Sequence, residues 1–162
     1  MTMLVGIDPG ASGAVAWITD SGHLIEVADL PVQKVSGRTV LMPAVLASML
    51  AAESRRPVHA YLERVGSRPG EGHVGAFAFG RSFGMLEGVL AAMGIAVTLV
   101  TPGEWKKAQR IPADKGAARA RAAQLWPGLA GTFARVKDDG RAEAALIALH
   151  GANRAQGMGR AA

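Results

Sequence analysis

Residues 3–18 read MLVGIDPGASGAVAWI, and this stretch decides the fold. Two apolar runs rich in β-branched residues, 3–7 and 14–18, are separated by a turn of proline, glycine and serine. Such a pattern predicts a hairpin of two strands. A third strand over residues 24–30 follows the next turn and completes an antiparallel meander.

The rest of the chain alternates between helical and strand patterns. Helices are predicted over residues 40–53, 76–93, 114–126 and 139–153, and strands over residues 58–65 and 95–100. We therefore expect an α/β fold in which a five-stranded mixed sheet, an antiparallel meander followed by parallel strands, is flanked by helices. A length of 162 residues suits one domain, predicted at residues 1–154, with a flexible tail at 155–162.

The composition narrows the class of protein. Hydrophobic residues make up 49% of the chain and charged residues 19%, which is typical of a folded soluble domain. The absence of cysteine excludes disulfide scaffolds, thiolate zinc sites and cysteine nucleophiles. Because no uninterrupted apolar stretch reaches the roughly 18–20 residues of a membrane span, we expect a cytoplasmic protein without a membrane partner.

The charge is unevenly distributed along the chain. The net charge is +5, and residues 105–141 hold nine basic residues against three acidic ones. An excess of positive charge favours an anionic partner such as nucleic acid. We expect the C-terminal half to provide the anion-binding face.

Acidic residues interrupt apolar segments at places where packing alone does not favour them. Asp8 ends the first strand, and Glu63 ends the strand over residues 58–65. An unpaired carboxylate in a dry site is costly, so each requires compensation. Asp8 in an Asp-Pro-Gly turn has an equally good structural role as a turn cap, and Glu63 has one as an exposed strand end paired with an arginine.

A third acidic segment opens the last helix. Asp139 and Glu143 lie four residues apart and share one helical face, whereas capping of the helix accounts well for Asp138 or Asp139. Glu143 stands among apolar residues, which capping does not explain. Hard divalent cations are the simplest compensation for three such carboxylates, and a pair of magnesium ions supports phosphodiester hydrolysis.

These motifs, in this order and spacing, resemble the RuvC-type Holliday-junction resolvases, and most of all their bacteriophage-like relatives. The resemblance rests on residues 6–14, on Glu63 and on residues 139–150, and it covers nearly the whole chain. It implies a ribonuclease H-like fold and a homodimer that nicks four-way DNA junctions symmetrically, as a crossover junction endodeoxyribonuclease. It also implies four acidic residues that bind two Mg²⁺ or Mn²⁺ ions.

Carried over by position, Asp8 is the first carboxylate of this family, Glu63 the second and Glu143 the fourth. The third stands three residues before the fourth in the cellular enzymes, and that position is Gly140 here. Asp139 is the expected substitute, with Asp138 in reserve.

The resemblance also implies residues that contact DNA. Lys115 matches a lysine near the scissile phosphate, and Lys106 or Lys107 matches another, although a solvated basic face is the structural alternative. Arg110 belongs to the same basic stretch. The segment after Glu63 corresponds to a region that enters the junction, which makes Arg68 and Phe77 further candidates.

Glycines at 80, 84 and 88 form a stripe along the second predicted helix. Because glycine destabilises an isolated helix, a close backbone approach to a partner is the natural compensation. That partner is either the sheet beneath or the same helix of a second subunit, and the resemblance implies the latter.

Other functions stay open on the sequence alone. A nuclease of the same fold could act on RNA or on other branched DNA. An actin-like nucleotide-binding protein begins with a similar hairpin but normally needs two such domains. A nucleic-acid-binding module without catalysis is disfavoured by the acidic residues.

Overall fold

The computed structural model describes residues 1–52, 56–66, 70 and 72–159. The strands are β1 (Met3–Asp8), β2 (Ala14–Thr19), β3 (Leu24–Asp29), β4 (Val32–Val35), β5 (Arg38–Leu41), β6 (His59–Glu63) and β7 (Ala96–Val100). The helices are α1 (Pro43–Leu50), α2 (His73–Ala92), α3 (Pro102–Ala108), α4 (Ala117–Leu125) and α5 (Asp139–Gly159). Short 3₁₀ helices span Pro127–Phe133 and Val136–Asp138.

The main sheet has five strands in the order β3-β2-β1-β6-β7. β1 pairs antiparallel with β2 and parallel with β6, and β6 pairs parallel with β7. The expected mixed sheet, flanked by helices, is thus confirmed. Since Ile7 lies opposite Leu62, the parallel strands β1 and β6 end side by side, and their last residues, Asp8 and Glu63, reach the same edge of the sheet.

Helices cover both faces of the sheet. Alternate side chains of each strand pack into one of two hydrophobic cores, one on each face. Leu4 and Ile18 pack on the side of α5, whereas Val5 and Trp17 pack against α1 and α2. This alternation is the period of two that a strand imposes on its side chains.

α5 lies unusually close to the sheet. A Cβ atom at Gly6 of β1 would collide with the backbone of Ala144 and Ala148, so only glycine fits there. The start of α5 is also held by Arg141, whose Nε and Nη2 donate to the two carboxylate oxygens of Asp29 at 2.6 and 2.7 Å. These contacts place the first turns of α5 beside the end of β1.

The structure contains a hairpin that the sequence patterns did not predict. β4 and β5 pair antiparallel through a turn at Ser36 and Gly37, which have φ angles of 49° and 78°. Positive φ at both central residues is what a two-residue hairpin turn requires. The predicted helix over residues 40–53 was therefore too long, because Val40 and Leu41 belong to β5 and α1 begins at Pro43.

Other boundaries also differ from the predictions. α2 begins at His73, three residues before the predicted start at residue 76. α3 occupies residues over which no element was predicted, and it begins with a capping box between Thr101 and Glu104. α4 begins at Ala117 instead of residue 114. α5 continues to Gly159, so residues 155–159 of the predicted tail are helical, and the remaining residues 160–162 lie outside the described part.

Candidate active site

Three acidic side chains from distant parts of the sequence meet at the edge of the sheet. Asp8, Glu63 and Glu143 each offer one carboxylate oxygen, and these oxygens lie within 4.8 Å of one another. Asp8 ends β1, Glu63 ends β6, and Glu143 lies in the second turn of α5. The structure therefore brings together three of the four carboxylates that the sequence predicted for the site.

The pKa of Asp8 reflects its burial and the charges of this cluster. Its pKa is raised from 3.8 to about 7, chiefly because burial penalises the charged form. The hydrogen bond donated by Gly10 N to Oδ1 at 3.0 Å lowers the pKa, while the neighbouring charges of Glu143 and Glu63 raise it further. A carboxyl group in this state is stabilised in its charged form by a nearby cation.

Glu63 is oriented by a buried donor. Its side chain is 6% exposed, and Oε1 accepts a hydrogen bond from Trp105 Nε1 at 2.8 Å. The indole N–H is a donor only, so it orients the carboxylate. Sequence analysis missed Trp105 because no helix was predicted over residues 101–113. The Thr101–Glu104 capping pattern was the available signal for the helix that holds it.

Glu143 faces a lysine. Lys106 Nζ lies 3.5 Å from Glu143 Oε1 and 5.1 Å from the centroid of the Trp105 ring. The donor set is all oxygen, so it fits a hard divalent cation such as Mg²⁺ or Mn²⁺.

The other two predicted acids lie elsewhere. Asp139 faces the same cavity, but its carboxylate lies outside the cluster, where Oδ1 accepts from Arg119 Nε at 2.6 Å. Asp138 is 1% exposed, and Arg135 donates to both of its oxygens at 2.8–3.2 Å, which holds its pKa at about 2. The geometry therefore gives Asp138 a structural role as an ion-paired cap and does not support it as a reserve ligand.

Gly140 explains why the third acid of the family pattern is missing. A Cβ atom at this position would collide with the carbonyl oxygen of Ser12 and would lie 3.1 Å from Asp8 Oδ2. The backbone of α5 thus packs directly on the β1–β2 turn. A carboxylate side chain has no room there.

The three carboxylates line a cavity of about 1190 Å³. The β1–β2 turn forms one wall, and the opposite wall is formed by Lys106 together with residues 111–116, which include the exposed Lys115. An acidic floor beside basic side chains suits a polyanion whose phosphate must approach the carboxylates.

Three of the remaining candidate DNA contacts, Lys107, Arg110 and Phe77, fall outside the lining of this cavity. Lys107 on α3 and Arg110 just after it are exposed. Phe77 lies in the early part of α2 with 74% of its side chain exposed. Arg68 lies outside the described residues.

Among the described residues, none of the helices is long and apolar enough to cross a bilayer.

Known proteins show the same architecture. A *Thermus thermophilus* RuvC structure in complex with a Holliday junction substrate superposes with a TM-score of 0.67 and 21% identity, covering 96% of both chains. A second *Thermus thermophilus* RuvC structure gives a TM-score of 0.62 at 21% identity, covering 98% of this chain and 97% of the other. The chain therefore has the RuvC form of the ribonuclease H-like fold.

A curated protein is also similar in sequence. The chloroplastic Holliday junction resolvase MOC1 of *Chlamydomonas reinhardtii* is 34% identical over 115 residues, which are 68% of this chain. The match spans 13% of the length of that relative. No protein-family profile matches the chain.

Proposed function

We propose that this protein is a metal-dependent, structure-selective endonuclease that cuts four-way DNA junctions by hydrolysing phosphodiester bonds. The convergence of Asp8, Glu63 and Glu143 at the floor of a basic-walled cavity carries the proposal. The relatives support the choice of substrate, because one is named as a Holliday junction resolvase and another was solved with a junction. Gly140, where the cellular enzymes have an acid, supports placing the chain in the bacteriophage-like branch.

Asp8, Glu63 and Glu143 would hold Mg²⁺ or Mn²⁺, and Asp139 is our candidate for the fourth carboxylate of a site for two ions. When bound, such ions make water a stronger nucleophile and stabilise charge on the leaving oxygen. The protein itself fixes the carboxylates through Gly10 N–H and the Trp105 indole. This preorganisation lowers the cost of assembling the site when DNA arrives.

Basic side chains around the cavity would position the DNA backbone. Lys106 and Lys115 line the cavity and would contact phosphates next to the cleaved bond. Lys107 and Arg110 would extend this contact along the strand, and Arg68 is assigned the same role from the sequence. Because phosphate contacts release counterions, affinity should fall steeply with salt.

Phe77 is our candidate for stacking on unpaired bases at the junction. Most of its ring is exposed to solvent, which a core residue of this size does not show. Stacking of an aromatic ring on a base contributes about 1–3 kcal/mol and tolerates any base sequence.

We also propose that the active form is a homodimer. Gly80, Gly84 and Gly88 meet nothing within 4 Å among the described residues, so the sheet beneath is not their partner. Val97 and Leu99 on the edge strand β7 are also 38% and 41% exposed. A two-fold axis through α2 would cover the glycine stripe and relate two active sites, as two symmetric nicks require.

A nicking assay on a mobile four-way junction tests the function. We expect symmetric nicks in the presence of Mg²⁺ or Mn²⁺, none in EDTA, and slower cutting of a fork or a structured RNA. Glu63→Gln and Glu143→Gln should bind the junction without cutting it. Cutting that persists in both variants contradicts a carboxylate-held metal centre, and equal rates on RNA would favour the alternative nuclease.

A further inference from the structure

The carboxylate cluster has three members, and the structure shows why a fourth is not already in place. Gly140 has no room for a side chain against Ser12. The acid on α5 that is nearest to this position is Asp139. Asp139 lines the cavity, and its side chain is 55% exposed. Its carboxylate is accessible from the cavity but is not part of the cluster.

Arg119 holds Asp139 in this position. It belongs to the first turn of α4, and its Nε lies 2.6 Å from Asp139 Oδ1. Its guanidinium also lies against Gly116, since a Cβ there would be 2.8 Å from Arg119 Nη2. Gly116 and Lys115 form the cavity wall where we expect DNA phosphates, so a phosphate bound at this wall would come within reach of the Arg119 guanidinium.

Two properties of the pair make exchange feasible. A guanidinium binds phosphate with the same paired geometry that it uses for a carboxylate. The side chain of Asp139 is 55% exposed and that of Arg119 is 21% exposed, so water screens the pair in part, and an incoming phosphate can compete with Asp139 for the guanidinium. The exchange conserves charge at Arg119, because one anion replaces another.

We propose that Arg119 and Asp139 form an exchangeable latch that couples DNA binding to completion of the metal centre; this rests on the nuclease function proposed above. In the free chain, Arg119 keeps Asp139 away, and Asp8, Glu63 and Glu143 hold one divalent ion. A DNA phosphate binds the Arg119 guanidinium in place of the Asp139 carboxylate and so releases Asp139. The freed carboxylate turns toward the cluster and supplies the fourth ligand group, which allows a second ion to bind. Arg119 is thus a positioning residue.

The stoichiometry of Mn²⁺ binding tests this latch without any cleavage assay. Free Mn²⁺ is followed by electron paramagnetic resonance during titration of the full chain without DNA. We expect one bound ion for the wild type, two for Arg119→Ala, and one again for Arg119→Ala combined with Asp139→Asn. Arg154→Ala, which removes an exposed arginine from α5, should leave one ion.

A junction added to the wild type should raise the count to two after the binding of Mn²⁺ to DNA alone is subtracted. If the wild type cuts the junction during the titration, the product still carries phosphates that can bind Arg119. Two ions on the free wild type, or one ion on Arg119→Ala, would overturn the latch while leaving the metal centre in place. No bound ion on the wild type would overturn the proposed nuclease function itself. Arg119→Gln provides a second variant if Arg119→Ala does not fold.

Discussion

Replacement of Asp8 by asparagine should make the metal-free protein more stable while abolishing its proposed activity. Asparagine keeps the size of the side chain and an oxygen that can accept the hydrogen bond from Gly10 N–H. It removes a charge that lies beside two other carboxylates. A site that gathers like charges to bind a cation opposes folding when the cation is absent. Asp8 is expected to show this effect.

The magnitude follows from the raised pKa of Asp8. Taking 3.8 in the unfolded chain and about 7 in the folded one, ionisation of Asp8 at pH 8 opposes folding by about 4 kcal/mol. Because the folded pKa is the higher one, stability is greatest below pH 3.8 and is lost as the pH rises through 7. At pH 5 the same relation gives about 2 kcal/mol.

We therefore expect Asp8→Asn to raise the free energy of unfolding by up to about 4 kcal/mol at pH 8 in EDTA, and by less at pH 5. Urea denaturation followed by circular dichroism measures both values. Added Mn²⁺ should stabilise the wild type and leave the variant unchanged. Asp20→Asn is the matched control. The hydrogen bond from Thr2 N lowers the pKa of Asp20, so removal of this carboxylate charge should destabilise the protein instead of stabilising it. A less stable Asp8→Asn at pH 8 would refute the reasoning.

Three further substitutions probe the surroundings of the site. Gly140→Asp should destabilise the fold by about 1–3 kcal/mol in urea denaturation, because its Cβ collides with Ser12; unchanged stability would contradict the packing. Trp105→Phe removes a donor to the buried Glu63 and should cost about 1–3 kcal/mol, with slower nicking; a wild-type rate would show that the indole does not orient the carboxylate. Lys115→Ala should reduce the slope of log affinity against log salt by about 1 in junction-binding titrations, and an unchanged slope would remove it from the phosphate contacts.

Much of the sheet was predictable because its signals are local. The hairpin of β1 and β2 follows from two apolar runs around an Asp-Pro-Gly turn, and the parallel strands follow from alternation with helices. The β4–β5 hairpin was missed because it packs few apolar residues and its four-residue strands leave a weak pattern. The Ser36–Gly37 turn was its clearest sequence signal.

The site was predictable to the extent that each acid interrupts an apolar segment. Asp8, Glu63 and Glu143 each stand beside buried apolar residues, and their carboxylates meet. Asp138 and Asp139 could not be separated in this way, because both lie at the start of a helix, where an acid is ordinary. Their different environments depend on Arg135 and Arg119, and those long-range pairings leave no mark in the local pattern.

Gly140 shows how packing and chemistry compete for one position. The close approach of α5 to the β1–β2 turn puts Glu143 within reach of Asp8, but the same approach excludes any side chain at residue 140. A fourth carboxylate must then come from the preceding residue, which lies about 100° further around the helix, outside the cluster and beside α4. There Arg119 forms an ion pair with it. A site that is completed only when Arg119 binds another anion would respond to bound DNA. Packing keeps Asp139 outside the carboxylate cluster and beside Arg119, and this position is what makes Asp139 available for exchange.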